Sequence, residues 1–173
     1  MSARPDPVPV EMVFAVTQFL HEESAALDEA RYEDWLAVLA DDFQYEIPLP
    51  VTPESPYAEQ YSRSMPLSLE SKGSLRFRFE RLASDYAWAD RPRHFLRHFV
   101  SNVRVGPGER PDEWIVRSNV LVARSRTSEP TTLASAGRHD LLRGSARDGF
   151  VLASRTVYLD VEVPHASQLI PVY

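Results

Sequence analysis

The segment Arg97–Val105 constrains the fold more than any other stretch of this chain. Successive side chains of a β-strand point to opposite faces, and here both faces carry apolar groups. One face holds Phe99, Val103 and Val105, and the other holds Val100 together with His98 and Asn102. A sheet with one solvent-exposed face needs apolar side chains on the other face only. Because both faces of this strand carry apolar side chains, we expect both faces to be covered. A helix of the same chain would cover the face with His98, and another subunit would cover the face with Phe99.

Composition places the chain among globular proteins and excludes several classes. Its 173 residues are 43% hydrophobic and 25% charged, which fits one domain spanning residues 1–173. The net charge of −6 argues against a general nucleic-acid binder, whose phosphate contacts need a basic face. The absence of Cys excludes disulfides, thiolate metal sites and a cysteine-ligated iron–sulfur cluster in this chain.

Targeting and membrane segments are not evident in the sequence. Residues 1–9 are polar and Pro-rich, without the apolar core of a signal peptide, and we expect them to be flexible. No run approaches the ~20 apolar residues of a membrane span. We therefore expect a cytoplasmic protein without a membrane partner.

The N-terminal half predicts helices, a short strand and a long loop. Apolar residues at three-four spacing predict helices over Val10–Asp28 and Arg31–Ala40. Alternation over Phe43–Ile47 predicts a strand. Residues 50–66 form a loop rich in Pro, Ser and Tyr, and loops of this length are usually functional, docked or mobile. Leu67–Ala83 fits a helix or a strand, and we favour the helix.

From His94 onward the chain alternates like a series of strands joined by short turns. The predicted strands are His94–Val105, Trp114–Arg126, Thr131–Arg143 and Phe150–Val163. Long strands with short turns form antiparallel meanders. Helices followed by strands predict an α+β fold, in which the N-terminal helices pack on one face of a strongly curved antiparallel sheet.

Asp90, His94 and His98 have the four-residue spacing of a possible metal site. On a helix this spacing would place all three side chains on one face, where they could bind zinc or iron. On a strand four residues span ~13 Å, so His94 and His98 could not share one ion. Because Pro92 and the alternation after it favour the strand, we expect no metal ligand in this chain. Since glycine-rich phosphate loops and dinucleotide fingerprints are also missing, we expect no bound cofactor.

General acid–base chemistry is the enzymatic alternative that the residues support. A curved sheet covered by helices encloses a cavity, and a His with carboxylates lining it could transfer protons. The candidate residues are His98, Tyr45 and Asp28, with Asn102, Asp34 and Asp42 as further polar groups nearby. The opposing interpretation makes His98 and Tyr45 hydrogen-bonded core residues, while the Asp residues cap or solvate helix ends. We favour the second interpretation, which predicts no catalytic residue.

Arginines recur along the predicted strands. They are Arg104, Arg117, Arg124, Arg126, Arg138, Arg143 and Arg155. They could lie on the solvated outer face, form salt bridges within the sheet or contact another subunit.

Several segments follow one another in an order and spacing that together are fairly specific. They are FLHEESAALDEARYEDWLAVLADDFQYEIP at 19–48, LRFRFERLASDYAW at 75–88, RHFVSNVRV at 97–105, and then RSNVLVARSR at 117–126, GRHDLLR at 137–143 and ASRTVYLD at 153–160. In this order they resemble the small (beta) subunit of bacterial aromatic-ring-hydroxylating dioxygenases. RHFVSNVRV is close to the RH-aliphatic-VSN strand of that family. The tail, Ala166–Tyr173, departs from the Asn-Leu-Ser-aliphatic-aromatic ending common in the family. The resemblance therefore does not predict how the tail packs on the rest of the chain.

The resemblance implies a cystatin-like, nuclear-transport-factor-like cone fold and a structural task. Such subunits typically form a trimeric base under three large (alpha) subunits, which carry the Rieske iron–sulfur cluster and the mononuclear iron. By resemblance, this chain is a non-catalytic beta subunit in aromatic compound catabolism. It would form a homotrimer core in a three-plus-three hetero-oligomer.

The same cone fold also hosts dehydratases and isomerases that use a pocket His with Asp and Tyr. In the dehydratases that resemble this chain, a strand histidine lies near the position of His98. The alternatives are therefore a stand-alone lyase or isomerase using His98, Tyr45 and Asp28, and a small-molecule-binding protein with an open apolar pocket. Fold alone does not choose among these functions.

Overall fold

The computed structural model describes residues 7–51, 60–62, 64–83, 94–126, 129–160 and 172–173. The helices are α1 (Val10–Asp28), α2 (Tyr32–Ala37) and α3 (Lys72–Ala83). The strands are β1 (Leu39–Ile47), β2 (Leu49–Pro50), β3 (Tyr61–Ser62), β4 (Ser68–Ser71), β5 (Phe95–Pro107), β6 (Glu113–Arg126), β7 (Glu129–Ser145) and β8 (Gly149–Leu159). Helices and sheet together confirm the α+β class.

The main sheet has six strands in the order β4-β1-β8-β7-β6-β5. Strands β5 to β8 form the predicted antiparallel meander. Strand β1 pairs in parallel with β8 and antiparallel with β4. The short strands β2 and β3 form a separate pair, which lies partly in the 50–66 segment. The rest of that predicted loop falls mostly outside the described residues.

Helix α1 has the predicted bounds and ends in a turn that the sequence did not signal. Ala30 lies in the left-handed region at φ 53°. The Arg31 amide donates to the Ala26 carbonyl at 2.8 Å, and the Ala30 amide donates to the Leu27 carbonyl at 3.1 Å. This is a Schellman motif with alanine where glycine is usual. It directs the chain from α1 into α2.

The other helical predictions need correction at their ends. The second helix ends at Ala37 instead of Ala40, because Leu39 already belongs to β1 and pairs with Leu152 of β8. The helix predicted over Leu67–Ala83 begins only at Lys72. The residues before it form β4, whose Leu69 pairs with Glu46 of β1.

A β-bulge overturns the predicted faces of β5. Between Ser101 and Arg104 the pairing with β6 shifts by one residue, so that Asn102 and Val103 together oppose one residue. Asn102 has φ 53° and is exposed. Beyond the bulge, Val103 and Val105 lie half-buried against the core, on the same side as His98.

The predicted face shared by Phe99, Val103 and Val105 is therefore wrong, and so is the inward position of Asn102. Phe99 alone of that set points outward, with 54% of its surface exposed. Strict alternation cannot reveal an inserted residue, because the bulge changes the face of every residue that follows it.

The core lies between the helices and the inner face of the sheet. Trp35 of α2 is fully buried and meets the rings of Phe43 and Phe79 edge-on, at 6.3 and 5.7 Å between centroids. Val16 and Leu20 supply the buried stripe of α1. Across the described ranges, no helix combines the length and apolar character needed to cross a bilayer.

Candidate functional site between the helices and the sheet

Asp28 and His98, two of the predicted acid–base candidates, are in direct contact. His98 Nδ1 lies 2.6 Å from Asp28 Oδ1, and the His98 amide donates to both carboxylate oxygens at 3.1 Å. The imidazole is fully buried and the carboxylate nearly so. Asp28 is the last residue of α1, so this contact fixes the end of the helix to β5.

A second polar cluster is centred on Arg155 of β8. Its guanidinium donates to both oxygens of Asp140 at 2.9 Å. It also donates to both oxygens of Glu23, at 2.7 and 3.1 Å. Trp35 Nε1 donates to Glu23 Oε1 at 2.6 Å. All of these charged groups are buried, and a buried charge is stable only when it is paired and hydrogen-bonded.

Arg138 of β7 extends this cluster. Its Nη1 lies 3.5 Å from Glu23 Oε2, and the residue is fully buried. Within the described part of the chain, none of its guanidinium nitrogens has a hydrogen-bond partner. Ser118 lies directly opposite Arg138 on β6. Its buried hydroxyl also has no hydrogen-bond partner among the described residues.

The charges of this cluster shift one another's pKa values. Burial raises the pKa of Glu23, but Arg155, Arg138 and the hydrogen bonds outweigh it and lower that pKa to about 2. Burial lowers the pKa of Arg138 to about 10, and the charge of Arg155 acts in the same direction. Burial also opposes the charge on Arg155, yet its two carboxylates hold its pKa above the ordinary range. Burial raises the pKa of Tyr45 to about 12.

The peptide group between Val172 and Tyr173 lies between these two clusters. Its carbonyl oxygen faces His98 Nε2 at 3.4 Å, and its N–H donates to the Tyr45 hydroxyl at 3.1 Å. The Tyr173 carbonyl accepts a hydrogen bond from Arg155 Nη1 at 3.4 Å. Both residues are buried. The chain itself thus occupies the polar interior that was predicted as a possible substrate cavity.

The structure brings some predicted site residues together and separates the others. Asp28 contacts His98, whereas Tyr45 approaches from the opposite side of the Val172–Tyr173 peptide group. Asp34 and Asp42 lie on the surface, where each pairs with an arginine.

The strand prediction at the possible metal site is correct. His98 lies in β5, and His94 lies just before that strand, with its Nε2 2.8 Å from Arg124 Nη2. Asp90 lies outside the described residues. In the ranges that the structure describes, no three His, Asp or Glu side chains are grouped so as to hold a metal ion.

Sequence reasoning missed the principal charged groups of the interior. They are Glu23, Arg138, Asp140 and Arg155. A signal for Glu23 existed, because it follows Leu20 and precedes Leu27 at helical spacing, within the apolar stripe. Arg155 likewise shares its strand face with Val157 and Leu159, both buried.

The outer face of the sheet carries a different feature, here called the outer patch. It consists of the exposed apolar side chains Phe95, Phe99, Leu121 and Leu133 on β5, β6 and β7. Phe99 lies directly opposite Leu121, and Leu133 is opposite Ala123. Contiguous exposed apolar groups of this kind mark interaction surfaces.

Solved structures place the fold in the cystatin-like class. A chain of a naphthalene 1,2-dioxygenase with indole bound in the active site superposes with a TM-score of 0.83. It is 20% identical, and the alignment covers 97% of this chain and 88% of that chain. A protein with a cystatin-like fold from Nostoc punctiforme superposes with a TM-score of 0.57 at 18% identity, over 87% of this chain and 92% of that one.

Sequence relationship then defines the family. The model of the ring-hydroxylating beta subunit family matches residues 22–165. Biphenyl 2,3-dioxygenase subunit beta of Rhodococcus jostii is 30% identical over 161 residues, which covers 91% of this chain and 86% of that protein. The chain therefore belongs to the ring-hydroxylating beta subunit family, and the resemblance seen in its sequence is confirmed.

Proposed function

We propose that this chain is the structural, non-catalytic beta subunit of a multicomponent aromatic-ring-hydroxylating dioxygenase. The observation that carries the proposal is the occupied interior. The Val172–Tyr173 peptide group uses the imidazole of His98 and the hydroxyl of Tyr45 as hydrogen-bond partners. A substrate requiring those two groups would have to compete with the chain's own backbone.

The partner in this proposal is a large alpha subunit that carries the Rieske iron–sulfur cluster and the mononuclear iron. A Rieske cluster takes two cysteine and two histidine ligands, and this chain contains no cysteine. The chain has no cofactor of its own in this division of labour. The relative from Rhodococcus jostii is named for biphenyl, which supports a role in the catabolism of aromatic compounds.

The proposed assembly is a homotrimer of this chain within a three-plus-three complex located in the cytoplasm. The outer patch supports it, because apolar side chains on three adjacent strands form a surface suited to another protein chain. We assign this surface to a second copy of the chain. Residues 1–173 act as one domain in the proposal.

A pair of conservative substitutions tests the non-catalytic role. We expect purified complexes carrying Tyr45→Phe or His98→Gln to hydroxylate their aromatic substrate at rates within about twofold of the unsubstituted complex. General acid–base groups typically contribute 10²–10⁴-fold to a rate. A loss of that size in a complex of normal mass and thermal stability would contradict the proposal.

A stand-alone lyase or isomerase remains the second candidate, and the Asp28–His98 contact of 2.6 Å favours it. Carboxylate–histidine pairs of this geometry orient an imidazole for proton transfer. The discriminating assay follows solvent deuterium incorporation into small aromatic ketones and alcohols by the isolated chain. Incorporation that disappears in His98→Gln would establish the lyase or isomerase, whereas our proposal predicts none.

A further inference from the structure

The interior contains hydrogen-bonding capacity that the Val172–Tyr173 segment does not use. Arg138 is fully buried, and among the described residues its three guanidinium nitrogens have no hydrogen-bond partner. Ser118, opposite it on β6, is buried with an unpartnered hydroxyl. Directly opposed side chains on antiparallel strands have Cβ atoms about 5 Å apart, so the two residues are neighbours on the inner face of the sheet.

These unused donors adjoin the place that Tyr173 occupies. Arg138 and Arg155 both approach Glu23 Oε2, at 3.5 and 3.1 Å, so their guanidinium groups are neighbours. Arg155 also donates to the Tyr173 carbonyl. The Tyr173 side chain belongs to the surrounding apolar core. Tyr173 thus contacts a guanidinium group that neighbours Arg138.

We propose that the interior is a binding site for small aromatic carboxylates, which Val172 and Tyr173 fill in cis. This goes beyond the structural role of the subunit. The ligand's ring takes the volume of the Tyr173 side chain, and its carboxylate pairs with Arg138 and the Ser118 hydroxyl. Arginine is suited to this task, because its planar guanidinium binds a carboxylate through two parallel hydrogen bonds.

The unused hydrogen-bond donors explain why a carboxylate is favoured over a cation. Glu23 and Asp140 are both engaged by Arg155, and Trp35 also donates to Glu23. The acceptors of the cluster are therefore already used, whereas donors remain on Arg138. Leaving a buried donor unmatched destabilises the folded protein, and an acceptor supplied by a ligand removes that cost.

The test uses a chain shortened by Val172 and Tyr173, with 4-hydroxyphenylacetate as the probe and 4-hydroxyphenylacetamide as its uncharged counterpart. Calorimetry should show that the shortened chain binds the acid at least tenfold more tightly than the amide. The full chain should bind neither, because its own Tyr173 occupies the site. In the shortened chain, Arg138→Gln should remove the preference for the acid, whereas Arg117→Gln, on the exposed face of β6, should keep it.

Tyr173→Ala is the second variant, because it retains the peptide group between His98 and Tyr45 while removing the phenol ring. It should also bind the acid in preference to the amide. Equal affinity for the two probes in a folded variant, or no binding, would overturn the proposal. Failure of both variants to fold would also overturn it, because Val172 and Tyr173 would then be an indispensable part of the core.

Discussion

A few charged residues make the interior polar. Glu23 occupies an apolar stripe of α1 and pairs with Arg155, while Arg138 lies beside both with donors unused. Arginines recur along the strands that the sequence predicts. A salt bridge within the sheet was one of three possible roles for them. Alternation with Val157 and Leu159 could have marked Arg155 as inward-facing. Arg138 offers a weaker signal, because one of its neighbours on the same strand face is the charged Asp140.

The pH dependence of stability tests the charge on Glu23. Its pKa is about 2 in the folded protein against an ordinary 4.5, so folding favours the charged form. The resulting stabilisation, on the order of 3 kcal/mol, is fully present above about pH 4.5 and is lost as the pH falls towards 2. Urea unfolding across this range should therefore show a steeper loss for the unsubstituted chain than for Glu23→Gln.

Glu22→Gln provides the matched control, because Glu22 is the exposed neighbour on the same helix. Its stability should follow that of the unsubstituted chain across the whole pH range. Identical pH profiles for the unsubstituted chain and Glu23→Gln would show that Glu23 does not carry this pH dependence.

At the scale of elements, local patterns predicted the long strands and failed where distant segments pair. The four strands of the meander were located to within a few residues, because alternation over a dozen residues is a strong signal. The parallel pairing of β1 with β8 and the edge strand β4 were missed. Both depend on contacts between remote segments, which no local periodicity contains. The docking of Val172 and Tyr173 was missed for the same reason.

The bulge in β5 depends on the left-handed conformation of Asn102, at φ 53°. Asparagine tolerates this region better than other non-glycine residues, and a β-branched residue there is strained. We expect Asn102→Val to lower the free energy of unfolding by about 1–2 kcal/mol, while Asn102→Gly leaves it near or above its original value. Chemical denaturation measures both.

Asn119→Val is the control for this comparison. Asn119 is also exposed, lies opposite Ser101 on β6 and has no positive φ. Valine suits an extended strand, so this substitution should be close to neutral. Equal destabilisation at positions 102 and 119 would refute the role given to the bulge.

Across the whole molecule, the two faces of β5 are covered differently. The inner face packs on the helices through His98, Val100, Val103 and Val105. The outer face contributes Phe95 and Phe99 to the outer patch. Only the outer face still requires a covering partner, and the bulge makes that surface smaller than strict alternation predicted.

Substitution in the outer patch tests the proposed homotrimer. Phe99→Ser removes a large apolar side chain from the outer patch and should shift the isolated chain from trimer towards monomer in light scattering. Phe77→Ser is the matched control, because Phe77 is similarly exposed, at 68% against 54%, but lies on α3. A trimer that tolerates Phe99→Ser and is lost in Phe77→Ser would place the interface elsewhere.

Native mass spectrometry of this chain, co-expressed with a large subunit of a ring-hydroxylating dioxygenase, tests the proposed structural role. We expect one complex that contains equal numbers of large subunits and 19.7 kDa chains, three of each. We also expect that a large subunit expressed alone assembles poorly and hydroxylates little substrate. A chain that stays monomeric at 19.7 kDa, beside a large subunit that is assembled and fully active without it, would show that the chain is not its structural subunit.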